Sequence, residues 1–167
     1  MKEVVVHDAD LQRAAEEGMD AFIKVFTDAI YHAIDGELTS ETMAELKADQ
    51  ITLLAYGILR EEVMDGGFVQ LIHNGYGPFF FRNPFAKMIK LWGLKDLSKL
   101  VYNVGSHYGK THEAIEKDCT DEEFMALFEQ FPEYDDFDDE FVENEEQWTS
   151  EIAHYIDDHI EQFARIE

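Results

Sequence analysis

Nine of the fourteen residues from Glu133 to Glu146 are acidic: Glu133, Asp135, Asp136, Asp138, Asp139, Glu140, Glu143, Glu145 and Glu146. None is basic. Carboxylates at this density do one kind of chemistry well: they form charge-assisted, often bidentate bonds to Arg and Lys. On a helix that rises about 1.5 Å per residue, they would place one charge per about 2.3 Å of axis. B-DNA carries one per about 1.7 Å. An ordered array of this kind could meet a basic protein as a phosphate backbone does. The plainer alternative is a well-solvated face. Glu116, Asp121, Glu122, Asp157 and Asp158 form a second set of candidates for the same surface.

Other chemistries find less support. Of the seven histidines, His107/His112 and His154/His159 are five apart, poor spacing for one helical face, and HExxH is absent; no zinc site is expected. Asp136, Asp138 and Glu140 suggest a calcium loop only superficially. The sixth position, where that loop needs Gly, is Phe141, and the twelfth is Gln147 rather than Glu. There is no GxSxG, no P-loop and no dinucleotide fingerprint. Cys119 lies near Asp118 and Asp121, which disfavours a thiolate. No catalytic residue and no cofactor is nominated, and the chain is not read as an enzyme.

The acidic stretch must be held by something. Tyr134, Phe137, Phe141 and Val142 recur within it at helical spacing, which predicts a segment pinned by one face with its carboxylates turned to water. The rest of the chain is rich in such elements. Amphipathic helices are expected over 8–34, from Thr39 or Ser40 with a break near Asp49, over 68–72, 85–92, 94–117 and 121–131, and over 145–164. Asp8 or Asp10 is the expected first N-cap, Thr39 shows no clean capping box, and Thr120 with Glu123 forms one. Gly66-Gly67 reads as a stop, Asn74-Gly75 as a left-handed close, and Gly105 and Gly109 as points of division. Val4–Val6 is the only strand-like run. The expectation is a single all-α domain over 1–167 with about seven to nine helices.

Charge bounds the partners. The net charge is −24, and it is segregated. Residues 66–112 hold one acid, Asp96, and six bases; residues 113–167 hold 21 acids and two bases. Such a balance repels nucleic acid as a direct ligand and favours basic partners or cations. Halophilic adaptation is another use for it. A single cysteine precludes an internal disulfide and fits a reducing, cytoplasmic setting. The apolar run near the N-terminus is three residues long, so neither a signal peptide nor a membrane anchor is expected.

Glu62-Val63-Met64-Asp65-Gly66-Gly67-Phe68-Val69-Gln70, followed by Asn74 and Gly77, resembles the signature of the DNA-mimic-protein (DMP) family of small acidic bacterial proteins. The common form there is Glu-Val-x-Asn-Gly-Gly-Phe-x-Gln followed by Asn-x-x-Gly; Asp65 stands where Asn is usual. The C-terminal YDDFDDEF…WTSEIAHYIDDHIEQF is also similar to the family's last segment, and the likeness covers residues 40–165. The resemblance implies an all-helical fold, a homodimer, and acidic surface that occupies the DNA-binding face of a helix-turn-helix transcription factor. Asp65, Gln70, His73 and Asn74 are the polar members of the signature, read either as helix caps in a buried network or as a small pocket. Two other functions stay open: an immunity-type protein that neutralises a basic partner, and a hydrolase with an unrecognised carboxylate site.

Overall fold

Gly18 adopts φ 126° and divides the first amphipathic run into two helices. In the computed structural model, which describes residues 1–167, these are α1 (Asp8–Glu17) and α2 (Met19–Ala33). His7, not Asp8 or Asp10, is the N-cap of α1. Asp35 and Gly36 then take positive φ and close α2. The remaining helices are α3 (Ser40–Met43), α4 (Ala48–His73), α5 (Gly77–Phe81), α6 (Phe85–Leu91), α7 (Lys95–Glu116), α8 (Asp121–Gln130) and α9 (Glu133–Asp158). The protein is all-α with nine α-helices and a short 3-10 turn at Ile160–Gln162.

The differences from expectation have local causes. α3 opens with a capping box, because Thr42 plays the part usually taken by Glu: its hydroxyl accepts from the Thr39 backbone N–H at 2.7 Å, while Thr39 Oγ1 accepts from Thr42 N at 3.1 Å. Gly66-Gly67 does not end a helix but breaks α4, which resumes at once. Gly105 and Gly109 leave α7 uninterrupted. The acidic stretch and the last helix are one element, α9, which starts at Glu133 and ends at Asp158. Thr120 and Glu123 form the expected capping box of α8.

Two compact units share the chain. The first comprises residues 1–54 and 146–167. In it β1 (Val5–Val6) pairs in parallel with β2 (Arg165–Ile166), in register Val5 with Arg165. Val6, Phe26, Ile30, Leu53, Ile152, Ile156 and Phe163 form its core. Phe26 and Phe163 meet edge to face at 6.4 Å. The second unit comprises residues 55–145. Leu59, Phe68, Leu71, Ile72, Phe80, Ile89, Leu97, Val104, Tyr134 and Phe141 fill it. Ser98 Oγ donates to Ala86 O at 2.7 Å and ties α7 to α6. No helix is long and apolar enough to cross a membrane.

Gln50 holds the first unit together by polar means. It is buried, accepts from Lys47 N at 2.8 Å and donates to Phe163 O at 2.9 Å. Gln50→Ala strands both backbone groups where water has little access, and should lower the unfolding free energy by about 2 kcal/mol, as read by chemical denaturation followed by circular dichroism.

Candidate functional site

α9 has an inward seam that its sequence spells out. Tyr134, Asp138, Phe141, Glu145, Trp148 and Ile152 follow alternating steps of four and three, the spacing of one helical face. Tyr134 and Phe141 are fully buried. Tyr134 shares a 2.7 Å hydrogen bond with Thr111 Oγ1, and burial pushes its phenol pKa up. Phe141 meets Phe68 edge to face at 6.4 Å, and Phe137, half-buried, packs on His107. Val142 is 51% exposed and does not help to anchor the helix.

The two carboxylates on this seam are turned inward. Glu145 is buried and pairs with Arg60 Nε at 2.6 Å. Asp138 Oδ1 accepts from Phe68 N at 2.8 Å. That N–H is among the first free donors of α4 after its break, so Asp138 caps the resumed helix from 70 residues away in the chain. Gly67 makes the approach possible. Its φ of 75° and ψ of −176° suit glycine alone, and a Cβ there would overlap the Asp138 carboxylate. Burial pushes the Asp138 pKa up to about 6; the Phe68 N–H opposes this, and Asp135 and Asp139 add to it.

The polar signature residues bridge the same break. Gln70 Nε2 donates to Glu62 Oε2 at 2.9 Å and to Asp65 Oδ2 at 3.0 Å, and Asn74 Nδ2 donates to Glu62 Oε2 at 3.0 Å. Gln70 folds back over Gly66, where a Cβ would strike it. His73 Nδ1 lies 2.8 Å from Ile115 O, placed to donate to it. Glu62, Asp65, Gln70 and Asn74 therefore form a network around Gly66-Gly67-Phe68.

What is left on the outer face of α9 in the second unit is Asp135, Asp136, Asp139, Glu140 and Glu143, all exposed. At 3.6 residues per turn they fall within an arc of about 140°. They span about 12 Å of axis, one per about 3 Å, against about 3.4 Å for the phosphates of a single DNA strand. Glu133 is half-buried in the first turn of α9. Asp121 and Glu122 are exposed in the first turn of α8. Glu116 is half-buried and engaged: its Oε1 accepts from Tyr108 OH and lies 3.0 Å from His112 Nδ1. Burial, followed by this bond, pushes the Tyr108 pKa up to about 12. In the first unit, Glu146, Asp157 and Asp158 are exposed.

A family model described as DMP19-like protein matches residues 44–159, which include the glycine break, the hydrogen-bond network and α9. The chain is similar to the DNA mimic protein DMP19 of Neisseria meningitidis serogroup B (strain ATCC BAA-335 / MC58), at 37% identity over 129 residues, 75% of this chain and 77% of that protein.

Two outcomes test the Asp138 cap. Gly67→Ala forces a conformation costing about 1–3 kcal/mol and displaces the carboxylate as well, so denaturation should show at least that loss. The second uses pH. The folded pKa of Asp138 lies above the unfolded one, so proton uptake favours the fold. This contribution is full below about pH 4 and is lost as pH rises through about 6. Asp138→Asn keeps an acceptor for Phe68 N and removes the titration. Relative to the natural chain, its stability should rise by about 1–2 kcal/mol between about pH 4 and about pH 7, a figure reduced from the full shift for solvent screening. Chemical denaturation at the two pH values measures it.

Proposed function

This chain belongs to the DMP19-like protein family, and from that premise we propose that it is a DNA mimic, whose ordered carboxylates occupy the DNA-binding surface of a basic protein and deny DNA access to it. The observation that carries the reading is the outer face of α9: five exposed carboxylates on one arc, at nearly the spacing of one phosphate strand, on a helix whose other face is fixed by buried aromatics. A helix-turn-helix transcription factor is the partner class that fits. The Arg and Lys such a reader aims at phosphates meet carboxylates through the same charge-assisted bonds.

Rigidity is what separates this surface from an acidic tail. A flexible run of carboxylates would lose entropy when ordered against a partner. Here Tyr134, Phe141, the Asp138 cap and the Arg60–Glu145 pair hold the helix before any partner arrives. The first choice of contact residues is therefore Asp135, Asp136, Asp139, Glu140 and Glu143. Asp121 and Glu122 are further candidates in the same unit and Glu146, Asp157 and Asp158 in the other, while Asp138 and Glu145 position α9. The reading includes a cytoplasmic homodimer, with a protein rather than nucleic acid as the ligand and no catalytic role.

The test is capture from lysate on the immobilised full chain, followed by competition with duplex DNA. A DNA-binding protein should be retained, DNA should displace it, and binding should weaken as salt rises. Replacing Asp135, Asp136 and Asp139 with Asn and Glu140 and Glu143 with Gln should weaken capture by about 100-fold or more without changing the fold, since all five side chains face water. Retention of a basic protein that DNA does not displace would sink the mimic reading and favour neutralisation of a partner of another kind.

A further inference from the structure

The 13 bases of this chain do not all find an acid. Arg13, Lys24, Arg60 and Arg165 each meet a carboxylate. Lys87, Lys90, Lys95 and Lys99 are exposed on α6 and α7 and meet none, although acids outnumber bases 37 to 13 in the chain. Around them the surface is partly apolar. Leu91 is 68% exposed and Tyr102 57%. Lys87 and Tyr102 line one cleft of about 240 Å³, together with Phe80, Phe81 and Val101. On α7, Lys95, Lys99 and Tyr102 occupy one face, at steps of four and three.

We infer that the α7 face of Lys95, Lys99 and Tyr102, beside the cleft that Lys87 and Tyr102 line, docks the α9 carboxylate face of a second copy of the chain. The matching chemistry is present in the same molecule. Asp135, Asp139 and the exposed Val142 lie on one face of α9 at steps of four and three, the pattern of Lys95, Lys99 and Tyr102. Both charge pairs are four residues apart, about 6 Å along a helix axis, so two carboxylates can meet two ammonium groups at once while Val142 covers Tyr102. Each copy carries one donor face and one acceptor face, so the contact is heterologous, head to tail. Carboxylates held this way are withheld from any other basic partner. The inference goes beyond the mimic reading and does not depend on it, because both complementary faces belong to this chain.

The salt response separates it from simple behaviour of a charged protein. Two bodies of net charge −24 repel, and salt should bring them together. Local complementarity predicts the reverse. At about 0.1 M salt the Debye length is about 10 Å, so each charge acts on its neighbours, whereas at about 1 M it is about 3 Å. Sedimentation velocity of the full chain should show a weight-average mass that rises with protein concentration at the lower salt and falls back at the higher. A dimer formed through another face only sets the high-salt baseline. The variant Lys87→Glu/Lys95→Glu/Lys99→Glu should lose the increment, and so should Asp135→Lys/Asp139→Lys/Glu143→Lys. Mixing the two variants restores complementary faces and should restore it. A mass that does not fall with salt, a lysine variant that keeps the increment, or a mixture that fails to recover it overturns the inference. So does lysine-dependent binding of the natural chain to heparin with no self-association, which would assign the cleft to an external polyanion. Failure of the mimic reading shows separately, in the DNA-competition assay.

Discussion

A single hydrogen bond, from Phe68 N to the Asp138 carboxylate, connects the two parts of the chain that matter most. α4 must break at Gly66-Gly67 and restart, and a restarted helix exposes backbone N–H groups that need acceptors. Asp138 supplies one from α9, and it can do so only because Gly67 has no side chain in its path. The glycine pair and the acidic helix are thus two halves of one joint. Burying a carboxylate to make it has a cost, visible in a pKa pushed up to about 6. The helix start and the buried Phe68–Phe141 contact beside it offset that cost.

From this joint the division of labour among the acids follows. A helix pinned at Tyr134, Asp138, Phe141 and Glu145 has its opposite arc fixed toward water. Asp135, Asp136, Asp139, Glu140 and Glu143 occupy that arc. Inward acids give the helix its place, and outward acids give it a surface to present. The repulsion among the outward set opposes folding, and the aromatic contacts on the inner face balance it. Asp157 and Asp158 sit in the last turn of α9, where the helix dipole disfavours anions.

Much of the fold was legible because it is local. Steps of three and four marked the amphipathic helices, Thr120 with Glu123 announced α8, and Asp35-Gly36 ended α2. Where local signals are weak or doubled, the structure departs from the expectation. The Thr42 hydroxyl substituted for a carboxylate in a capping box, and α9 ran through a stretch so charged that its apolar phase looked like a separate segment. The seam of α9 was nonetheless written in the sequence: Asp138 and Glu145 share the phase of Tyr134 and Phe141, and phase alone would have marked them as inward.

By itself the sequence determined the helices, the segregation of charge and the resemblance to acidic DNA-mimic proteins, because periodicity, capping chemistry and net charge are properties of neighbouring residues. Tertiary structure alone decided what the inward carboxylates meet, that Gly67 must clear a path for Asp138, and that β1 finds its partner in Arg165–Ile166. Each of these joins residues distant in the chain. Whether a carboxylate is desolvated depends on what packs against it, and that is settled only when the chain has folded.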